Sequence, residues 1–391
     1  MEPLGRYRQQ ISAGFGIAIV GYTSSFAVVL AGLRAVGATP AQATSGLVVL
    51  CLAMGVATLL LSLRHRIPIT IAWSTPGAAV LASAGAVHGG WPAAVGAFLV
   101  VGLLVVLTGS WPRLGALINA IPAPIAQAML AGVVLQICLT PVHGVAAHPI
   151  QVLPILLVWL VLTRVAPRWA VPGAFAATLV VVAILAADHG GAHGPLLPHP
   201  ALTTPRVSWS ALVGIALPLY VVTMAAQNVP GVAIMSSYGY TIPWREAMAT
   251  TGIGSILAAP FGGHAINLAA ISASVPASSQ AHPDPARRWP AATTFGVTCL
   301  CLAAVTTALT TLLQVAPVDV VGTVAGLGLL GTLGSSLGAA IGDPQQRTAA
   351  AITFVVAASG VTIAGVASAT WALVAGLVVQ RALSPRTQAA G

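Results

Sequence analysis

Two short stretches of this chain place helix-breaking and hydrogen-bonding residues inside otherwise apolar runs. They are Ile69-Thr70-Ile71-Ala72-Trp73-Ser74-Thr75-Pro76-Gly77-Ala78 and Pro260-Phe261-Gly262-Gly263-His264-Ala265-Ile266-Asn267-Leu268. In the first, Ser74 or Thr75 is suited to cap a helix that takes Pro76 in its first turn. In the second, Gly262-Gly263 breaks the chain, and a helix is expected to begin between His264 and Asn267. A helix N-terminus offers unpaired N–H groups and the positive end of the helix dipole. Two of them facing each other make a site for a small anion such as a carboxylate. The competing reading is an ordinary Pro/Gly kink in a packed bundle; two breaks at matching places in two halves of the chain favour the site. His264 adds a group that titrates near neutral pH. It is a candidate proton carrier, or else a neutral histidine that bonds the ligand or holds the Gly-rich break.

The elements that must position these residues are membrane spans. The chain has 391 residues, of which 57% are hydrophobic and 5% charged, and a mean hydropathy of +0.95. A soluble domain is about one quarter charged. A spanning helix needs roughly 20 mostly apolar residues, and the pattern predicts about fourteen spans. The first seven cover 11–33, 42–63, 67–87, 91–111, 117–139, 149–163 and 170–187. A linker rich in His, Pro and Gly follows at 188–208, and then spans 209–227, 246–260, 263–280, 290–313, 318–340, 346–363 and 365–382. The run from Ile11 is too long for a signal-peptide core.

Charge tests this map independently. With the N-terminus in the cytoplasm, the inside segments carry Arg6, Arg8, Arg64, Arg66, Arg113, Arg164, Arg168, Arg245, Arg287, Arg288, Arg347, Arg381 and Arg386. Only Arg34 and Arg206 fall outside. This is the positive-inside asymmetry, and it places both termini in the cytoplasm of a bacterial-type inner membrane. The scattered arginines also explain the net charge of +9 without nucleic acid as a partner. An odd number of spans per half makes residues 1–187 and 209–391 inverted repeats joined by an extracytoplasmic linker, as in many secondary transporters. Gly37-Ala38-Thr39-Pro40 and Gly239-Tyr240-Thr241-Ile242-Pro243 echo each other after the first span of each half.

The first spans of the halves carry Gly21-Tyr22-Thr23-Ser24-Ser25 and Gln227-Asn228-Val229-Pro230-Gly231. Gln227 and Asn228 are costly in lipid and must face a cavity or a neighbouring helix. Trp73 lies far from the interfacial belt, which makes it a cavity wall or a core residue. No catalytic or metal constellation is legible at membrane depth. The acids Glu2, Asp188, Glu246, Asp284, Asp319 and Asp343 all lie near span ends or in loops, and His189, His193 and His199 are irregularly spaced in the linker. Cys51, Cys138, Cys299 and Cys301 read as buried hydrophobes, the last two on different helix faces. An enzyme is therefore not expected; a carrier or an anion channel is.

These motifs, together with Ala259 to Ile271 and His282-Pro283-Asp284-Pro285-Ala286-Arg287-Arg288, resemble the benzoate/proton symporter family over about residues 11–382. The chain is more remotely similar to the uracil-transporter and anion-transporter superfamily. The resemblance implies seven plus seven inverted spans in a core and a gate domain, with spans 3 and 10 discontinuous around the substrate and spans 1 and 8 lining it. It implies uptake of benzoate or a related aromatic carboxylate with protons by alternating access, with no cofactor beyond the proton gradient. A homodimer in the bilayer is among the assemblies expected. The carboxylate would sit between the half-helix N-termini at Ser74–Gly77 and Ala265–Asn267, with Ser74, Thr75 and Asn267 donating hydrogen bonds. The ring would lie on Trp73 and Tyr22, and Gln227 and Asn228 would close the pocket. Uracil-type carriers are expected to place acids in spans 8 and 10, where this chain has Gln227, Asn228 and Asn267; this puts a carboxylate relay in doubt and suits an anionic substrate. The alternatives are a nucleobase or inorganic-anion carrier of the same fold, or an anion channel.

Overall fold

The computed structural model describes residues 7–188, 190–191 and 193–383. Glu2, Arg6, His189 and Arg386 lie outside them. The first half runs α1 (Arg8–Ala35), α2 (Pro40–His65), β1 (Ile71–Trp73), α3 (Thr75–Ala84), α4 (Gly90–Ser110), α5 (Pro112–Asn119), α6 (Ala123–Ala147, with a turn at Leu139), α7 (Pro149–Val165) and α8 (Ala170–Asp188). The second runs α9 (Trp209–Ser237), α10 (Trp244–Ala258), β2 (Ile266–Leu268), α11 (Ser274–Ala277), α12 (Trp289–Leu313), α13 (Val318–Ile341), α14 (Arg347–Ala358) and α15 (Ser368–Leu383).

Among the described residues, eight helices are long and apolar enough to cross a membrane: α1, α2, α4, α6, α8 with its preceding turn, α9, α12 with its preceding turn, and α13. The apolar helices α7, α14 and α15 are shorter. The protein is thus a multi-pass helical membrane protein. The other segments read as spans from sequence are the 15-residue α10 and the two broken stretches, where the helix gives way to strand.

Local chemistry sets the boundaries. Thr39 and Gln42 form a reciprocal capping box at the start of α2, with Pro40 as its first residue. Arg66 ends α2 in the left-handed region at φ 55° and lays its guanidinium over the Trp289 ring, 5.0 Å from the centroid. Arg64 meets Glu246 at 3.0 Å, so the end of α2 and the start of α10 share one face of the molecule.

Two expectations need correction. The span expected to stop at 227 continues to Ser237 as α9, because Pro230 falls where the preceding turn is a π-helical segment (Met224–Asn228) that already relaxes the i→i−4 ladder. No helix begins between His264 and Asn267: Gly262, at φ 95°, turns the chain, and Ile266–Leu268 form a strand instead. The later residues of the linker lie along the helices. Trp91 Nε1–H donates to Thr203 Oγ1 (2.9 Å), Thr203 N–H to Pro260 C=O (2.8 Å) and Ala201 N–H to Ser45 Oγ (2.9 Å).

β1 and β2 pair antiparallel at the centre of the bundle, with Ile71 opposite Leu268, Ala72 opposite Asn267 and Trp73 opposite Ile266. Around them lies the largest buried side-chain set, including Phe26, Leu30, Leu33, Leu47, Leu81 and Phe98.

Candidate functional site

Irregular backbone inside a bilayer must be satisfied by the protein itself. The sheet is only three residues long, so side chains complete it. The ladder continues through Ser74 N–H to Ala265 C=O and Ala269 N–H to Thr70 C=O, both 3.0 Å. Thr58 Oγ1 accepts from Ile71 N–H, Ser255 Oγ from Ile266 N–H and Asn228 Oδ1 from Leu268 N–H, each at 2.9 Å.

α3 leaves the sheet at Ser74. Its hydroxyl accepts from Gly77 N–H (3.1 Å) and is hydrogen-bonded to Thr223 Oγ1 (2.8 Å), while its carbonyl accepts from Ala78 N–H (2.8 Å). Pro76 has no N–H, so the first turn of α3 is largely capped from within. A Cβ on Gly77 would collide with Leu219 Cδ1 and Ser74 Oγ, so only glycine lets α3 and α9 approach this closely.

Beside the sheet lies a cavity of about 410 Å³. Residues of α1, β1–α3, α6, α9 and α13 line it, with Met54 of α2 and Phe295 and Cys299 of α12. Trp73 and Tyr22 form its aromatic floor, with ring centroids 5.7 Å apart. Both polar tips are satisfied, Trp73 Nε1–H by Ser25 Oγ (2.7 Å) and the Tyr22 hydroxyl by Thr306 Oγ1 (2.8 Å), and both side chains are buried, so what each shows the cavity is part of an apolar ring. Gln227 (α9) and Gln127 (α6) both line the cavity, and neither side chain makes a hydrogen bond among the described residues. No Asp, Glu, Lys, Arg or His is among the described lining residues.

Of the residues singled out from sequence, Tyr22, Trp73, Thr75 and Gln227 line this cavity. Ser74, Gly77, Asn228, Asn267 and His264 lie behind it, in the framework of the sheet. Gln227 and Asn228 separate because neighbouring helical residues point about 100° apart: one amide faces the cavity, the other holds β2. Asn267 is wholly buried, its amide oxygen taking Ser74 N–H (3.2 Å) and its nitrogen giving to Leu268 C=O (2.8 Å). His264 is wholly buried with its ring edge-on to Phe98. Its Nε2 contacts Ser74 C=O at 2.9 Å; a carbonyl only accepts, so Nε2 carries the hydrogen. Nδ1 has no partner among the described residues.

Sequence reasoning missed part of the lining: Gln127 on α6 and Gly328, Thr332, Ser335 and Ser336 on α13. The signal was present, since those α13 positions share one helical face. A Cβ on Gly328 would strike the Ser24 carbonyl, so α1 and α13 almost touch there.

A second cavity of about 650 Å³ adjoins the first, sharing Ile17 and Val20. Arg8, Arg168 and His282 line it, in segments that the charge map assigns to the cytoplasmic side. The central cavity therefore communicates toward the face bearing the start of α1.

The model of a family described as "Benzoate membrane transport protein" matches residues 7–382. The chain is 39% identical over 367 residues to "Inner membrane protein YdcO" of Escherichia coli (strain K12), covering 93% of each. It is 27% identical over 376 residues to the "Benzoate membrane transport protein" of Acinetobacter baylyi (strain ATCC 33305 / BD413 / ADP1), covering 94% of this chain and 93% of that one. Among solved structures, the fold is similar to that of SLC26A9, with a TM-score of 0.65 at 13% identity, over 97% of this chain and 66% of the other. It is also similar to the transmembrane domain of a cyanobacterium bicarbonate transporter, BicA, with a TM-score of 0.57 at 14% identity, over 97% of both chains. At these identities the two structures speak to fold alone.

Proposed function

Since the chain belongs to the benzoate membrane transport family, whose members are transport proteins and not enzymes, we propose that it imports benzoate or a related aromatic carboxylate together with protons. The observation that carries this reading is the central cavity: an aromatic floor of Trp73 and Tyr22, uncharged walls, and free amides at Gln127 and Gln227. A flat ring fits the floor, and a carboxyl group finds hydrogen-bonding partners at Gln127, Gln227 and Thr75. Inorganic anions have no use for such a floor.

The topology supporting transport is fourteen spans in two inverted repeats, 1–187 and 209–391, with both termini in the cytoplasm of an inner membrane. Support comes from the distribution of arginines, from the antiparallel pairing of β1 with β2, and from the meeting of Arg64 with Glu246 and of Arg66 with Trp289 on one face. The helices carrying the sheet form the core, and α6 and α13 belong to the gate. Sliding of one against the other at the Ser24–Gly328 approach gives alternating access. In this reading Ser74, Gly77, Asn228, Asn267 and His264 hold the sheet and α3 in place, while Tyr22, Trp73, Thr75 and Gln227 touch the substrate.

The test is uptake of radiolabelled benzoate into proteoliposomes, with and without an inward-directed proton gradient, above the leak of protein-free liposomes. Accumulation driven by the gradient is expected. Folded protein that accumulates no aromatic acid, or that accumulates sulfate or bicarbonate instead, overturns the reading.

A further inference from the structure

The central cavity offers no group suited to exchange a proton near neutral pH. Its ionisable lining residues are Tyr22, bonded to Thr306, and Cys299; both types are ordinarily neutral at pH 7. Every acid among the described residues stands elsewhere. Glu246 is held by Arg64 and His65 and Asp284 lies beside Arg287. Asp188 ends α8, Asp319 begins α13, Asp343 follows it, and Glu2 precedes α1. Around the cavity, α1 contributes charge only at Arg8 near its start and Arg34 near its end, α6 a histidine at His143 near its end, and α3 and α9 none. His264 sits behind the sheet, its Nε2–H committed to Ser74 C=O.

The same geometry disfavours a bare anion. Burying an uncompensated carboxylate is far more costly than burying a neutral polar group. No cation lines the cavity among the described residues, Ser74 Oγ already takes Gly77 N–H at the start of α3, so that only one short helix end faces the cavity, and the second broken span has no helix of useful length to add a dipole. A protonated carboxyl group, in contrast, needs one acceptor for its O–H and donors for its carbonyl oxygen. A glutamine amide supplies one acceptor and two donor hydrogens, and two such amides, Gln127 and Gln227, face the cavity free of other hydrogen bonds among the described residues.

We propose that the coupled proton travels on the carboxyl group of the substrate itself, a deduction that rests on the aromatic-acid reading above. On the outer side RCOO⁻ and H⁺ combine to RCOOH. The neutral acid occupies the cavity with its ring on Trp73 and Tyr22 and its carboxyl group on the glutamine amides. On the cytoplasmic side it returns to water as RCOO⁻ and H⁺. No protein group changes its protonation. The vestibule bearing Arg8 and Arg168 favours the last step, because its positive field attracts the anion.

The experiment compares benzoate with benzenesulfonate, a strong acid of similar shape that stays ionised throughout the physiological pH range, in wild-type proteoliposomes. Benzoate uptake is expected to move one proton per molecule and to ignore an imposed membrane potential. Benzenesulfonate uptake is expected to be at least about tenfold slower, because its charge cannot be removed before burial. Benzenesulfonate entering with a proton overturns the proposal, since the proton must then sit on the protein. His264→Gln is expected to keep the one-to-one stoichiometry, and benzoate entering that variant without protons likewise overturns it. Absence of benzoate uptake by folded wild type removes the underlying aromatic-acid reading, an outcome distinct from both.

Discussion

The two broken spans look alike in sequence and differ in structure. In the first, three residues of strand lead into a ten-residue helix with its own cap, Ser74. In the second, the strand is followed by a 3-10 turn and only four residues of helix, Ser274–Ala277. A helix that short has little dipole to offer, so the symmetric pair of helix ends expected from the sequence does not form. The first span has its own helix cap, and Thr58 of α2 and Thr223 of α9 bond its strand and its Ser74 hydroxyl. The second borrows its order from neighbours: Ser255 of α10 and Asn228 of α9 bond its strand, and His264 ties it to Ser74. Under the function proposed above, the asymmetry leaves recognition of a carboxyl group to the side chains of Gln127 and Gln227 more than to a pair of helix dipoles.

Substitutions can break this comparison at either span. The largest effect is expected at Gly77→Ala, where the new methyl group meets the side chains of Leu219 and Ser74 and forces them to shift inside a buried contact. Overpacking of this kind costs about 3 kcal/mol, and both the thermal midpoint in detergent and benzoate uptake should fall sharply. Asn228→Ala tests the borrowed order of the second span. It strips Leu268 N–H of its acceptor in a dry site, at a cost of about 2 kcal/mol; lower thermal stability should come with faster amide exchange at Leu268, while the first span keeps its protection. Ser74→Ala removes the cap, at about 1 kcal/mol, and leaves the buried Thr223 hydroxyl without its partner, at about 1 kcal/mol more; a drop in melting temperature comparable to that of Asn228→Ala is expected, and a clearly larger one would show that the first span is the more dependent on its side-chain bonds.

Much of the architecture was legible because it follows from composition along the chain. Apolar runs and arginine placement give spans and sides, since a charge in lipid is prohibitive wherever it falls in the fold. The breaks at Ser74–Gly77 and Gly262–Gly263 were legible for the same local reason: Pro lacks an N–H, and Gly tolerates φ 95°. What followed the second break was not legible. Ile266-Asn267-Leu268 is a strand because Ile71-Ala72-Trp73 lies beside it, almost two hundred positions away in sequence. The facing of side chains was equally hidden. Gln227 and Asn228 are adjacent polar residues on one helix, and only the position of β2 decides that the second holds Leu268 while the first faces the cavity.

The sequence by itself therefore determined a multi-pass membrane protein with two interrupted spans and a family resemblance, because solvation and backbone sterics act residue by residue. Only the tertiary structure decided which polar groups are consumed by the fold and which remain free. Hydrogen-bond satisfaction in a dry interior is a property of pairs: Ser74, Asn267 and His264 became framework because partners lay within about 3 Å of each, and the amides of Gln127 and Gln227 found none among the described residues.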